Sequence, residues 1–172
     1  RLVVRGQKEV ATAKGRLDSI RIIPENPPAR PEVLRAIEDA DYITMGPGSW
    51  LTSVLPHLMV PAQREALCAS RAKKIIVLNL DSHPSISGDE FAGYTPEEHL
   101  QLLNQYAPSL RFDYVIADIS GIRDQRNLEA LVEGYGGELI LADVRRAPGA
   151  IHHDISKLNS LFRQIFTQSN EN

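Results

Sequence analysis

Cysteine, tryptophan and concentrated charge are what this chain has least of. Its single cysteine, Cys68, excludes an internal disulfide and every multi-cysteine zinc motif. Set in "REALCAS", that thiol reads as a small buried helix residue rather than a reactive group. Nineteen basic against twenty-two acidic side chains leave a net charge of −3, and the nearest thing to a basic cluster, Arg145-Arg146, is two residues long. Nucleic-acid binding needs a concentrated basic surface, so it is not expected, and the arginine pair reads as a solvated loop end. No stretch approaches the ~20 apolar residues of a membrane-spanning helix, and the N-terminus carries no apolar signal core. The chain is accordingly expected to be cytoplasmic, with no transmembrane segment.

What is present is an ordinary globular balance. Hydrophobic residues make up 42% and charged residues 24%, enough apolar surface to build a core and too little charge for disorder. The 172 residues fit one α/β domain. Residues 9–23 hold two β-leaning runs around Lys14-Gly15, a hairpin signal. "PENPPARP" then has to be an extended connector, because four prolines in eight residues cannot sustain a helix. From residue 31 to 168 strands and helices alternate. Helices are expected over "PEVLRAIEDA" (Val33, Leu34 and Ile37 on one face), "VPAQREALCASRA", "TPEEHLQLLNQYA", "DQRNLEALVEGYG" and "DISKLNSLFRQIF". Thr95, Pro96 and Glu98 form a capping-box signature, and Asp154 is an N-cap. Strands are expected over "DYITM", "KKIIVLNL", "FDYVIAD" and "ELILADV". Alternation of this kind specifies a mainly parallel sheet with helices on both faces, and such sheets bind ligands outside the carboxyl ends of their strands.

The segment after the first strand, "GPGSWLTS", is the most informative strand-end loop. Gly46 and Gly48 allow a sharp turn and a close backbone approach, while Ser49, Thr52 and Ser53 add hydroxyls at a helix start suited to an anion. A simple strand-to-helix turn capped by Ser49 accounts for the same residues. No Gly-Lys-Ser/Thr follows, so this is not a Walker A loop, and Leu51 replaces the third glycine of the dinucleotide motif. Trp50 is suited to stacking on a base or to packing against the following helix. Asn79 ends a strand, where its amide can bind a sugar or base edge or cap a neighbouring loop. His83 lies near Asp81 and Asp89 in the loop "DSHPSISGDEFAGY", a weak metal pattern. Asp118 and Asp143 end successive strands; paired carboxylates there suit magnesium, or satisfy nearby amides. His152-His153 flank a helix cap.

The run "AIEDADYITMGPGSWLTSVLPHLMVPAQREAL", then "VLNL", then "GDEFAGYTPEEHLQLL" closely resembles the CofD-like family, which includes the YvcK-type gluconeogenesis factors and 2-phospho-L-lactate transferase. GPGS, TS and LP at these places look like the YvcK branch in an actinobacterial style. The resemblance covers about residues 6–166 and implies a Rossmann-like three-layer α/β/α fold. YvcK-type members bind uridine-diphosphate sugars, and a nicotinamide dinucleotide has been associated with them. They act in regulating carbon flow and the cell envelope, with no established catalysis. The other branch transfers a phospholactyl group from a nucleotide diphosphate donor and uses a divalent metal, so magnesium is implied only there.

Carried onto this sequence, the resemblance makes Gly46, Gly48, Ser49, Thr52 and Ser53 diphosphate-side contacts. It adds Asn79, Glu90 (the loop glutamate, accepting from sugar hydroxyls) and His99, which orients the loop before its helix. The implied partner is a small nucleotide ligand; self-association, or a purely structural role in oligomerisation, stays open. The family's opening glycine-rich turn and its Asp/Gly/Ser-rich nucleotide loop have no counterpart in these residues, which start at Arg1. The chain is therefore expected to be the C-terminal part of a longer protein. Its loop after Asn79 also departs from the family pattern, with Asp89 inserted and Phe91 in place of threonine.

Overall fold

The structure is a computed structural model and describes residues 3–11, 19–80 and 95–169. Its centre is a parallel sheet of four strands in sequential order: β1 (Tyr42–Met45), β2 (Lys73–Val77), β3 (Tyr114–Asp118) and β4 (Glu138–Ala142). Between them run the helices α4 (Pro61–Ala69), α5 (Pro96–Tyr106) and α6 (Gln125–Gly134). Each connection steps in the same direction across the sheet. Right-handed crossovers therefore place all three helices on one face. The first helices are α1 (Gln7–Ala11), α2 (Pro31–Glu38) and α3 (Leu55–Leu58), and the last is α7 (Ile155–Ser169).

Register explains how the two faces fill. Met45 pairs with Ile76, Ile76 with Val115, and Val115 with Leu139, so these side chains share one face. They join a core with Ile37 of α2, Leu55 and Leu58 of α3, Leu67 of α4, Leu100 and Leu103 of α5, and Leu128 and Val132 of α6. The alternate residues Ile75, Val77 and Ile116 turn to the other face, where Leu158, Leu161, Phe162, Ile165 and Phe166 of α7 cover them. Three layers result, as expected, with α2 to α6 on one side and α7 opposite.

Local chemistry sets the helix ends. Thr95 Oγ1 accepts from the Glu98 amide at 3.2 Å and Glu98 Oε2 accepts from the Thr95 amide at 2.9 Å, completing the capping box of α5. Asp124 and Asp154 accept from the amides three residues on, starting α6 and α7. The expected hairpin is not what forms at the beginning of its range. Glu9, Val10 and Ala11 are the end of α1, whose Val10 packs on the core, and residues 19–22 are not strand. Apolar burial against the neighbouring helices overrides a modest β propensity here; Lys14-Gly15 lies outside the described residues.

Candidate functional site

The carboxyl ends of β1 and β2 meet at the glycine-proline turn. Gly46 has φ +69°, and a Cβ there would sit 2.6 Å from the Val77 carbonyl oxygen. Both facts make this a glycine position. Two residues on, the Gly48 amide donates to Asn79 Oδ1 at 3.1 Å, while Asn79 Nδ2 donates to the Gly48 carbonyl at 3.1 Å. Asn79 thus pairs with the Gly48 peptide as an extra rung across the two strand ends. One donor and one acceptor of its amide are used this way, so Asn79 positions the turn. The Gly48 amide proton is taken up by the same rung.

Beyond the glycines the chain enters a wide helical turn, Trp50–Val54, which α3 continues. Ser49 caps it: its Oγ accepts from the Thr52 amide at 3.1 Å and from Thr52 Oγ1 at 2.6 Å, and its carbonyl accepts from the Ser53 and Val54 amides. Trp50, Leu51, Val54, Leu55 and Leu58 are all buried. Full burial of a leucine stabilises by roughly 1.5–3 kcal/mol, which anchors the turn to the core. The amides of Ser49, Trp50 and Leu51 donate to no acceptor among the described residues. With Thr52 donating inward, the Ser49 hydroxyl keeps its own proton for an outside acceptor, and Ser53 is exposed.

Trp50 and His99 lie together inside the core. Their rings stack at 4.5 Å with 4° between planes, and they are 2% and 4% exposed. Trp50 therefore packs rather than stacking on a base, and His99 supports the turn from within the core. Burial pushes the His99 pKa from 6.5 to about 4, so the ring is neutral near pH 7. Glu90, His83, Asp81 and Asp89 lie outside the described residues.

A second polar cluster ties the ends of β2, β3 and the segment after β4. Asp118 Oδ1 accepts from the amide and hydroxyl of Ser120, and Oδ2 accepts from the Val144 amide at 3.1 Å. Arg145 Nε lies 3.4 Å from Asp118 Oδ1 and donates to Ser120 Oγ at 3.2 Å; Nη2 donates to the Leu80 carbonyl at 2.8 Å, and Nη1 to the Ala150 carbonyl. Burial pushes the Asp118 carboxyl up, but these donors together hold it below the usual carboxylate range. Far from being a solvated loop end, Arg145 is 5% exposed. No local signal marks this, because the acidic neighbour Asp143 pairs with Lys157 and the carboxylate that engages Arg145 belongs to Asp118.

Asp143 instead binds Lys157 Nζ at 2.6 Å, and His153 Nε2 donates to the Leu78 carbonyl at 3.2 Å. The two strand-end aspartates are thus engaged separately by cations. Among the described residues no group of three or more His, Cys, Asp or Glu side chains is placed to hold a metal.

The family described as 2-phospho-L-lactate transferase CofD matches residues 2–148. The chain belongs to the CofD family. Curated relatives within it include a putative gluconeogenesis factor of Mycobacterium tuberculosis, 39% identical over 91% of this chain and 45% of its own length. The gluconeogenesis factor of Bacillus subtilis is 32% identical over 72% of this chain and 38% of its own. A crystal structure of a UPF0052-family protein from Bacillus halodurans superposes with a TM-score of 0.72 at 26% identity, covering 91% of this chain and 54% of that one. The chain spans about half the length of the CofD-family relatives it matches. Among the described residues, no helix is long and apolar enough to cross a membrane.

Proposed function

We propose that this chain supplies part of the ligand site of a regulatory protein of the YvcK gluconeogenesis-factor type. The ligand would be a uridine-diphosphate sugar or a related dinucleotide, bound without turnover, in a protein that adjusts carbon metabolism and envelope formation. One observation carries the reading: Asn79 locks the Gly48 peptide at the carboxyl edge of the sheet, and the next three amides have no described acceptor. Successive amides at such a turn complement a diphosphate. The Ser49 hydroxyl and exposed Ser53 add donors beside them. The names of the relatives support the gluconeogenesis-factor branch.

The description of the matching family favours a second reading, transfer of a phosphorus-containing group, for which magnesium is implied. Calorimetry of the full-length protein with UDP-glucose, with and without magnesium, combined with product analysis, separates the two. Magnesium-independent binding with intact ligand supports the regulatory reading. Magnesium-dependent cleavage of the nucleotide, with the phosphorus-containing group recovered on an acceptor, would favour the transferase, and no binding would overturn the regulatory reading.

A further inference from the structure

Trp50 supplies the middle one of the three amides, and its side chain is buried in the core. The indole is 2% exposed and lies flat on the His99 imidazole, centroid to centroid at 4.5 Å. His99 is itself 4% exposed and occupies the first turn of α5, whose start is fixed by the reciprocal Thr95–Glu98 bonds. Leu100 and Leu103 of the same helix sit in the core cluster that also holds Trp50, Leu51 and Val54. Interiors packed at this density do not let one flat ring slide without its neighbour following. The peptide at Trp50 is therefore set from two directions. Asn79 fixes it through Gly48 on the strand side, and His99 fixes it through the indole on the helix side.

We propose that His99 is a positioning residue for anion binding, acting through the Trp50 ring to hold the Ser49, Trp50 and Leu51 amides in convergent orientation and to pass any movement of the occupied turn to α5. The inference rests on the diphosphate reading of that turn. His99 makes no contact with the ligand; it sets the orientation of the groups that do. Oriented donors bind an anion without the cost of being ordered first, so loosening the stack weakens binding even where every donor remains. A phenylalanine in its place keeps a flat ring against the indole, whereas alanine removes it.

The test uses the full-length protein with UDP-glucose as the probe. Affinity is measured by calorimetry, and melting temperature separately, for wild type, His99→Phe, His99→Ala and Ile165→Ala, the last a buried truncation on α7 in the separate core cluster on the other face of the sheet. The expected result is binding weakened roughly three- to tenfold in His99→Ala, the range of a lost aromatic contact. His99→Phe should stay within about twofold of wild type. Ile165→Ala should lose melting temperature with its affinity unchanged. In wild type the indole N–H resonance of Trp50, assigned by its loss in Trp50→Phe, should shift on adding UDP-glucose although the ring is buried. That resonance tests the coupling even where His99→Ala does not fold. Wild-type affinity in His99→Ala, equal weakening in Ile165→Ala, or an unmoved indole resonance overturns the positioning role while leaving the diphosphate reading intact. Failure of wild type to bind UDP-glucose overturns both.

Discussion

Acidification from about pH 7.5 to about pH 5 should destabilise the protein through one imidazole, and the size of the loss follows from its burial. His99 has its pKa pushed down from 6.5 to about 4 by desolvation. A folded-state value below the unfolded one means that the unfolded chain takes up the proton first. Stability is then complete above the usual histidine value and falls as pH drops from there toward the folded value. At about 1.36 kcal/mol per unit, the whole displacement corresponds to about 3 kcal/mol. Roughly 2 kcal/mol of that is lost by about pH 5, which lowers Tm by roughly 4–8 °C in a domain of this size. His99→Phe keeps a stacked ring and removes the titration, so its melting temperature should fall by that much less over the same interval. His153, also shifted down by burial, is present in both proteins and cancels in the difference. Asp113 and Asp118 are pushed up by burial, but their hydrogen bonds and cationic neighbours hold them below 3.8, so they titrate below the interval. Thermal melts of the two proteins across this range are the assay. Parallel curves would refute the reasoning, because they would mean that His99 is hydrated in solution.

Arg145→Ala should cost about 3–5 kcal/mol in chemical denaturation, because it leaves the Asp118 carboxylate, 1% exposed, without its cation. That contribution is present above pH 3.8 and disappears as pH falls through the lower folded value of Asp118; a loss under about 1 kcal/mol would show the pair to be hydrated. Asn79→Leu removes both bonds to the Gly48 peptide and should cost roughly 1–3 kcal/mol, with UDP-glucose affinity falling as well; unchanged affinity would separate the rung from the site. Gly46→Ala forces a side chain into a left-handed backbone and against the Val77 carbonyl, and should destabilise by roughly 1–3 kcal/mol; a neutral melt would show that the turn relaxes freely.

The layers of the fold were legible because strand and helix periods, and the caps at Thr95 and Asp154, are local properties that tertiary packing reinforced. The short helical stretch over residues 50–58 was harder to see, since Pro56 and two hydroxyl residues interrupt its pattern, and its stability comes from burying Trp50, Leu55 and Leu58. At the candidate site the sequence marked Gly46, Gly48, Ser49 and Asn79 by residue type, but not their partners. Whether an asparagine amide faces a ligand or a glycine peptide depends on strand register, set by the pairing of Met45 with Ile76. Arg145 is hard to place from sequence for a related reason. Its charge suggests solvent, and its acceptors come from Leu80, Asp118, Ser120 and Ala150, most of them distant in sequence.

The central claim is that an anion sits on the backbone at residues 49–51, and amide chemical shifts test it most directly. In a titration of isotopically labelled full-length protein with UDP-glucose, the Ser49, Trp50 and Leu51 N–H resonances should move together and saturate with one dissociation constant. The Gly48 and Thr52 amides, already donating to Asn79 and Ser49, should move much less. Saturating shifts confined to other parts of the protein, with these three amides unmoved, would contradict the account.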